Sequence, residues 1–281
     1  MSAIVFLNGK FVPETEATVS IFDRGFLYGD GLFETLRVFR GQLFCWAEHL
    51  ERLERGAAFL KIKIPFAPDE LLSHATQLIQ RNRMPESLLR ISLSRGVGPR
   101  GYSPRGADRP TLTMSVHSAP DASAGPPAWH VVTASYRLPA GEPLAQFKTA
   151  NKLPQVLARA EADAAGADEA LLLNTNGEIV EASMSNFFWI ANGTVCTPPL
   201  NSGILAGVTR LVVTRICGEL GLAILETSLT PAELLRAEGI FLSMSSWGIV
   251  EVASLDKHPI ARSPLSAKIR AAYDRMTNEI V

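Results

Sequence analysis

The sequence predicts a two-domain protein of the α+β class with mixed sheets. Its 281 residues exceed the usual size of a single hydrophobic core, so two domains are the default expectation. Short strand signals are joined by hairpin turns, such as those at 174–177 and 192–193, and only a few helical stretches lie between them. This order of elements is typical of mixed sheets with peripheral helices and differs from a doubly wound parallel sheet.

The N-terminal part alternates strand and helix signals. Apolar residues at helical spacing predict a helix over 47–60, and Pro68 suits the first turn of a second helix over 68–83. Short or alternating apolar runs predict strands at 32–39, 43–44, 88–94 and 111–117. We therefore expect a small domain in which helices cover a sheet.

A linker is predicted at 120–127, because small residues and prolines there cannot contribute to a packed core. It separates a domain at 1–119 from a domain at 128–281. Strand signals in the second domain lie at 130–135, 170–173, 179–180, 186–191, 194–196, 223–226 and 240–243. Helix signals lie at 153–165, 208–220, 231–237 and after Pro264.

Composition argues against several classes of partner. Lys and Arg number 27 against 28 Asp and Glu, so nothing electrostatic favours nucleic acid or an anionic membrane. No apolar run approaches the roughly 20 residues that span a bilayer. Cys45, Cys196 and Cys217 show neither metal-ligand nor disulfide spacing. They are typical of reduced thiols, so we expect a cytoplasmic protein without a metal site.

A glycine-rich segment follows the strand predicted at 88–94. Gly96-Val97-Gly98-Pro99-Arg100-Gly101 matches the literal G-x-G-x-x-G pattern. A dinucleotide site needs that turn to open a helix, and prolines at 99 and 104 prevent a regular helix from starting there. The segment is interpreted as a flexible cationic arm whose arginines suit capture of a carboxylate. These arginines are Arg95, Arg100 and Arg105.

Six motifs in order resemble a known family. Phe147-Lys148-Thr149-Ala150-Asn151-Lys152-Leu153 is similar to the Lys-x-x-Asn segment of class IV, fold-type IV pyridoxal-phosphate enzymes. The other five motifs lie at 23–35, 49–53, 168–173, 177–188 and 205–210. The resemblance implies a small N-terminal α/β domain and a larger C-terminal cofactor-binding domain with a mixed, barrel-like sheet.

The resemblance also implies pyridoxal 5'-phosphate as the cofactor and Lys148 as the catalytic residue that forms a Schiff base with it. To attack an aldehyde this amine must lose its proton, and after release it can act as a general acid/base. Glu181 is expected beside the pyridine nitrogen, where a carboxylate keeps the ring protonated.

The cofactor phosphate needs cationic and backbone donors. Arg52 can make a bidentate contact from its helix. Val208 and Thr209 begin a predicted helix, where the N–H groups and the dipole favour an anion and the Thr209 hydroxyl adds a donor. Ser245 stands where members of the family use Thr or Ser after a late strand, and it completes the expected cofactor contacts.

Within the family, 94–103 resembles the Ser-Arg-Gly-x-Gly-x-Arg-Gly-Tyr-Ser segment of 4-amino-4-deoxychorismate lyases, which release pyruvate and 4-aminobenzoate. The resemblance implies that Arg100 and Tyr102 hold a substrate carboxylate, reaching it from the neighbouring subunit of a homodimer. Thr35 matches a threonine common in these lyases. Tyr28 and Phe33 are the other expected substrate contacts.

Some features resemble transaminases instead. Glu34 stands where a threonine is frequent in some lyases, and 181–186 is closer to transaminases. However, D-amino-acid transaminases carry His where this chain has Tyr102, and branched-chain transaminases generally carry Tyr where it has Leu153. The sequence therefore ranks a lyase first, a D-amino-acid or broader transaminase second, and a branched-chain transaminase third.

Overall fold

A computed structural model of the chain describes residues 2–121 and 128–280. The predicted linker at 120–127 therefore falls, from residue 122 onward, outside the described residues. The chain forms two compact units. The first contains the residues up to Ala119 together with Phe147–Asn151 and Ile280, and the second contains the remaining described residues. In the described part of the chain, no helix is long and apolar enough to cross a membrane.

The first unit is built on a six-stranded antiparallel sheet in the order β2-β1-β6-β5-β3-β4. Its strands are β1 (Ile4–Leu7), β2 (Lys10–Pro13), β3 (Gly31–Phe39), β4 (Gln42–Leu43), β5 (Ser87–Ser94) and β6 (Thr111–Ser118). Its helices are α1 (Arg24–Tyr28), α2 (Trp46–Leu60) and α3 (Pro68–Asn82). Strand β3 pairs with β5 along its length, from Gly31 opposite Ser94 to Val38 opposite Ser87.

The core of this unit lies between one face of the sheet and the helices α2 and α3. Leu36 of β3, Leu53 of α2 and Leu78 of α3 are among its fully covered side chains. The start of α3 is fixed locally, because Pro68 occupies its first turn and the Glu70 side chain accepts a hydrogen bond from the Ala67 N–H at 2.8 Å.

The segment Phe147–Asn151 pairs with the edge of β3 that β5 leaves open. The Phe33 N–H donates to the Lys148 carbonyl at 3.0 Å, and the Ala150 N–H donates to the Gly31 carbonyl at 2.9 Å. The Phe147 ring packs against Phe59 with ring centroids 4.5 Å apart. This short stretch therefore belongs to the first unit although it lies far along the chain.

The second unit contains a nine-stranded mixed sheet. Its strands are β7 (Ala128–Leu138), β8 (Glu169–Asn174), β9 (Ile179–Ala182), β10 (Asn186–Ala191), β11 (Thr194–Thr197), β12 (Ile224–Glu226), β13 (Gly239–Met244), β14 (Gly248–Leu255) and β15 (His258–Pro259). Pairing runs β7-β8-β9-β10-β13-β14 and returns from β14 to β7. This ring of pairings closes into a barrel.

The parallel pairs in this sheet need crossover connections. Helix α4 (Leu153–Ala164) supplies one between β7 and β8, and its buried Ala158 and Ala162 allow it to approach them closely. Every residue of β8 is buried, which is typical of a strand covered on both faces. The other helices of the unit are α5 (Val208–Glu219), α6 (Pro231–Leu234) and α7 (Pro264–Asn278).

The predicted fold class is confirmed: the elements are mixed α and β, and the second unit carries a mixed, barrel-like sheet. The strands and longer helices predicted from the sequence are present within a few residues of their expected ends. Strand β14 was not predicted. No helix begins between β5 and β6, which agrees with the interpretation of the glycine-rich segment as a loop.

Candidate active site

Strand β3 presents side chains on both faces of the first unit's sheet, because successive residues of a strand point in opposite directions. Glu34 belongs to the buried series with Leu32 and Leu36 and is only 1% exposed. Phe33 and Thr35 belong to the half-buried series on the other face. The strand therefore buries one carboxylate and presents two of the predicted substrate contacts on its opposite side.

Helix α2 supplies the partners of Glu34. Arg52 donates from Nε to Glu34 Oε1 at 2.8 Å and from Nη2 to Glu34 Oε2 at 2.6 Å. His49 Nδ1 lies 2.7 Å from Glu34 Oε2. His49 and Arg52 are three residues apart and share one face of the helix. The three buried side chains form what we call the Glu34 cluster (Glu34, His49 and Arg52).

The charges of this cluster follow from its burial. Burial raises the pKa of Glu34, but the Arg52 charge and the hydrogen bonds from Arg52 and His49 outweigh that effect and lower the pKa to about 2. Burial lowers the pKa of His49, and the charges of Arg52 and Lys148 add to this effect. Together these effects outweigh the opposing influence of Glu34. At neutral pH the cluster is therefore a carboxylate paired with a guanidinium, with neutral His49 donating its Nδ1–H.

Lys148 is held beside Phe33 by the backbone pairing of its segment with β3. Its Nζ lies 4.6 Å from the centroid of the Phe33 ring. A ring of this kind tolerates both the charged and the neutral amine, since its face attracts a cation and its body is apolar. The predicted catalytic lysine and one predicted substrate contact therefore lie together.

Asn151, the other residue of the Lys-x-x-Asn motif, fixes the start of β3. Its Nδ2 donates to the Gly29 carbonyl at 3.0 Å. Gly29 ends α1 with φ of +65°, and a Cβ there would lie 2.6 Å from Asn151 Oδ1. Position 29 requires glycine for its positive φ and for its lack of a side chain. The hydrogen bond from Asn151 joins the Lys148 segment to the turn before β3.

The predicted carboxylate-binding residues lie on the loop between β5 and β6. Arg100 is exposed and Tyr102 is 88% exposed. Tyr28 contacts this loop: its hydroxyl accepts a hydrogen bond from the Gly101 N–H at 3.2 Å, and its ring lies 5.6 Å from the Tyr102 ring. Tyr28 therefore supports the loop that carries Arg100 and Tyr102.

In the second unit, Glu181 lies in a row of polar side chains across three strands. Glu181 of β9 pairs with Asn186 of β10, which pairs with Ser243 of β13. Glu181 Oε2 accepts from the Leu205 N–H at 3.0 Å, and Asn186 Nδ2 donates to the Leu205 carbonyl at 2.9 Å. This row therefore binds both the N–H and the carbonyl of Leu205, which lies shortly before α5.

This arrangement fixes the N-terminus of α5. The first hydrogen bond of the helix runs from the Leu211 N–H to the Gly207 carbonyl at 3.0 Å, so the N–H groups of Val208 and Thr209 precede it. A Cβ on Gly207 would lie 1.8 Å from Asn186 Oδ1, so only glycine fits. Val208 and Thr209 are nearly buried, which leaves a covered helix N-terminus suited to an anion.

Serine hydroxyl groups belong to this row or adjoin it. Among the described residues, Ser243 and Ser185 have buried hydroxyl oxygens without a hydrogen-bond partner. Ser185 precedes Asn186, and the predicted cofactor contact Ser245 is half-buried in the turn that follows Ser243. Buried polar groups are normally hydrogen-bonded, so these two hydroxyls retain unused hydrogen-bonding capacity beside Glu181 and Asn186.

The structure assigns the predicted site residues to both units. The first unit contains Tyr28, Phe33, Thr35, Arg52, Arg100, Tyr102 and Lys148, and the second contains Glu181, Val208, Thr209 and Ser245. In the first unit Lys148 lies against Phe33, and Tyr28 contacts the loop that carries Tyr102. In the second unit Glu181 binds the segment that leads into Val208 and Thr209. Their roles toward a cofactor and substrate stay predictions.

Several polar residues of the site were missed or only noted in passing from the sequence. Glu34 was treated as a departure from the lyases, although a charged residue inside a buried strand series points to a paired carboxylate. His49 was noted only for its spacing to Arg52. Nothing local in the sequence indicated the roles of Asn186 and Gly207, because each depends on a neighbour distant along the chain.

Comparison with known proteins identifies the family. The sequence model of the family described as amino-transferase class IV matches residues 31–255. A putative branched-chain-amino-acid aminotransferase of Methanocaldococcus jannaschii is 37% identical over 253 residues, which cover 90% of this chain and 88% of the relative. A D-alanine aminotransferase of Bacillus licheniformis is 30% identical, with 95% of each chain covered. An aminodeoxychorismate lyase of Vibrio harveyi is 34% identical, with 89% of this chain and 90% of the relative covered.

Solved structures agree with this result. The branched-chain aminotransferase of Thermoproteus uzoniensis with norvaline has a TM-score of 0.92 at 29% identity and covers 99% of this chain and 95% of its own. The 4-amino-4-deoxychorismate lyase of Pseudomonas aeruginosa has a TM-score of 0.85 at 31% identity, with 98% and 99% covered. The T.th. branched-chain amino acid aminotransferase with pyridoxamine 5'-phosphate has a TM-score of 0.92 at 28% identity, with 99% and 94% covered. These neighbours share the fold-type IV architecture.

Proposed function

Because the chain belongs to the class IV aminotransferase family, whose enzymes use pyridoxal 5'-phosphate, we propose that it is a 4-amino-4-deoxychorismate lyase. The observation that carries this proposal is the placement of Thr35. Its side chain is on the face of β3 that also carries Phe33, against whose ring the Lys148 amine lies. A hydroxyl there is suited to hydrogen-bond the oxygen of a departing enolpyruvyl group.

The residues present fit the cofactor. Glu181 offers a nearly buried carboxylate, and the start of α5 offers N–H groups at Val208 and Thr209, beside the close contact between Gly207 and Asn186. Lys148 offers the amine and Arg52 a buried guanidinium. We propose that Glu181 binds the ring nitrogen of the cofactor and that Lys148 binds its aldehyde. Arg52, Val208 and Thr209 are proposed to bind its phosphate. When bound, the cofactor supplies an electron-withdrawing ring that stabilises negative charge at the substrate carbon.

The chain's own residues then have defined tasks. Lys148 would anchor the cofactor, and its free amine would remove the proton from the substrate carbon that bears the substrate's amine. Glu181 holds a proton at the ring nitrogen. The bond between the neighbouring ring carbon and the ether oxygen would then break, and the six-membered ring would become aromatic as 4-aminobenzoate. Lys148 would return the proton it removed to the departing enolpyruvyl group, which becomes pyruvate.

The substrate carboxylate is assigned to the loop between β5 and β6. Arg100 and Tyr102 are exposed there, and an arginine can bind a carboxylate through two parallel hydrogen bonds. We propose that the enzyme is a homodimer in which this loop serves the neighbouring subunit. Ile21, Phe22 and Phe26 are all more than half exposed in the single chain, and a subunit interface would cover such side chains. Sedimentation analysis tests the dimer, and a monomer would contradict it.

A D-amino-acid transaminase is the second candidate. Glu34, which the sequence associates with transaminases, is fully integrated into a buried ionic cluster. A relative named D-alanine aminotransferase is similar to nearly the whole chain. A branched-chain transaminase is the third candidate, and a relative with that name has the highest identity of the three described above. All three activities share Lys148 and Glu181, so they are separated by substrate rather than by cofactor.

Three assays on the purified, cofactor-loaded enzyme test the proposal. The first supplies 4-amino-4-deoxychorismate and measures 4-aminobenzoate. The second supplies D-alanine with 2-oxoglutarate, and the third supplies L-leucine with 2-oxoglutarate; both measure glutamate. Pyruvate alone does not discriminate, since the first two reactions both produce it. The lyase proposal predicts efficient release of 4-aminobenzoate, and its absence together with efficient glutamate formation would overturn the proposal.

A variant pair makes this test specific to Thr35. We expect Thr35→Val to lower kcat for 4-aminobenzoate release by about 10²-fold, the usual scale for a group that assists proton transfer or leaving-group departure. Thr113→Val is the matched control, because Thr113 is on the same face of the sheet two strands away. Equal activity of the two variants would remove Thr35 from the mechanism.

A further inference from the structure

We propose that Arg24 is a positioning residue, which holds the loop at 101–103 in the shape that presents Arg100 and Tyr102 to a substrate carboxylate. The role of the two presented side chains rests on the proposed function. The restraint itself follows from hydrogen bonds inside the first unit.

The guanidinium of Arg24 binds three successive carbonyls of this loop. Nη1 donates to the Gly101 carbonyl at 2.8 Å and to the Ser103 carbonyl at 3.2 Å, and Nη2 donates to the Tyr102 carbonyl at 3.1 Å. Arg24 is only 4% exposed. A planar guanidinium carries five N–H donors in a fixed fork, so one side chain can determine the course of three peptides.

A carboxylate anchors Arg24 in turn. Arg24 Nε donates to Asp30 Oδ2 at 2.8 Å, and Asp30 also accepts from Arg95 Nε at 2.8 Å and from Arg95 Nη2 at 3.0 Å. Arg95 donates further to the carbonyls of Leu60 at 2.8 Å and Lys61 at 3.1 Å, at the end of α2. The restraint on the loop is therefore tied to the helix that carries His49 and Arg52.

Packing encloses the stem of Arg24. Its guanidinium carbon lies 5.0 Å from the centroid of the Tyr28 ring. A Cβ on Gly98 would lie 3.2 Å from Arg24 Cδ and 2.6 Å from the Ala107 Cβ. The loop therefore crosses directly over Arg24, and the absence of a side chain at Gly98 permits this approach.

The same loop combines a restrained backbone with exposed side chains. The carbonyls of 101–103 are bound by a buried cation, whereas the Tyr102 side chain is 88% exposed and Arg100 is exposed. A backbone that is ordered before the ligand arrives lowers the entropy cost of binding. Arg24 thus acts on the substrate through the loop and does not touch the substrate.

Limited proteolysis of the cofactor-loaded enzyme tests the restraint without measuring activity. Trypsin cleaves after Arg100, next to the Gly101 carbonyl that Arg24 binds. We expect Arg24→Ala to raise the rate of this cleavage at least about tenfold, since even one hydrogen bond to a charged donor can be worth that factor. Arg109→Ala, an exposed position of the same loop, is expected to leave the rate unchanged. An unchanged rate in Arg24→Ala would overturn the proposal.

Kinetics separates positioning from general stability. We expect Arg24→Ala to raise KM for the carboxylate substrate about tenfold, with kcat within about threefold and cofactor affinity unchanged. Arg24→Lys keeps a charge beside Asp30 but gives up the fork, so it is expected to show the same pattern to a smaller extent. If Arg24→Ala does not fold, Arg24→Lys carries the test. Equal losses of cofactor and substrate affinity would indicate a merely structural role and contradict the proposal.

The two proposals can fail separately. If the enzyme proves to be a transaminase, KM is measured with that carboxylate substrate, and the proteolysis result is unaffected. If Arg100→Ala leaves KM unchanged, the proposed role of the loop fails. A faster cleavage in Arg24→Ala would then still establish that Arg24 holds the loop.

Discussion

Replacing Glu34 by Gln is the sharpest perturbation of the first unit's core. The substitution keeps the shape of the side chain but removes the charge that pairs with Arg52 at 2.6 and 2.8 Å. Both partners are at most 5% exposed. Arg52 would then remain buried without its counter-charge, which is the costly way to break an ion pair.

Two estimates give the loss of stability expected for Glu34→Gln. Removing one partner of a buried pair typically costs about 3–5 kcal/mol. Independently, the pKa of Glu34 falls from its ordinary value of 4.5 to about 2, and at about 1.4 kcal/mol per unit this shift corresponds to about 3 kcal/mol. The two values agree, so we expect Glu34→Gln to lower the free energy of unfolding by about 3 kcal/mol at pH 7.

The contribution of Glu34 to the free energy of unfolding also depends on pH, and this dependence can be measured. Because the folded-state pKa of Glu34 is depressed, its contribution is fully present above the unfolded pKa near 4.5 and is lost as pH falls toward about 2. The difference in the free energy of unfolding between wild type and Glu34→Gln should therefore be largest at neutral pH and decrease below pH 4.5.

Urea unfolding of the cofactor-free protein at several pH values measures this gap. Glu51→Gln, an exposed position on α2, is the matched control and should change stability by less than about 0.5 kcal/mol. A gap for Glu34→Gln no larger than that of this control, or a gap that stays constant down to pH 3, would refute the account of the buried pair.

Two further predictions concern the start of α5 and the titration of His49. Gly207→Ala should weaken cofactor affinity at least about tenfold in a fluorescence titration, because its Cβ would collide with Asn186 Oδ1 at 1.8 Å. Gly218→Ala in the same helix meets no atom within 4 Å and should stabilise the protein by about 0.5–1 kcal/mol; equal effects of the two variants would remove the steric argument. The pKa of His49 is lowered by burial, so the unfolded chain binds a proton there below about pH 6.5 and wild type should lose stability as pH falls from 6.5. His49→Gln should remove this part of the pH dependence in thermal unfolding, and an unchanged slope between pH 6.5 and 5 would count against it.

Periodicity and turn signals predicted most elements of the fold, because α2 and α3 each bury one stripe and the hairpins have their own turn residues. The pairing of Phe147–Asn151 with β3 could not be predicted in this way. It joins segments more than 100 residues apart, and no local pattern encodes such a partner. Strand β14 was missed for a related reason, since its position is fixed by pairing with β13 and β7.

The candidate site was predicted through motifs, and motifs give residues rather than contacts. The motifs predicted Lys148, Arg52 and Glu181 as contacts of one cofactor. They did not indicate that Arg52 pairs with Glu34, nor that Arg24 binds the carbonyls of the loop before β6. Buried ion pairs and side chain–backbone bonds depend on tertiary neighbours, and a single sequence carries no direct record of them.

We propose that Lys148 carries the cofactor. Borohydride reduction of the cofactor-loaded enzyme, followed by proteolysis and mass spectrometry, measures which lysine becomes labelled. We expect the label on Lys148, none on nearby Lys152, and no visible absorbance or label in Lys148→Ala. A label on another lysine of the wild-type enzyme, or a reducible linkage that survives in Lys148→Ala, would contradict it.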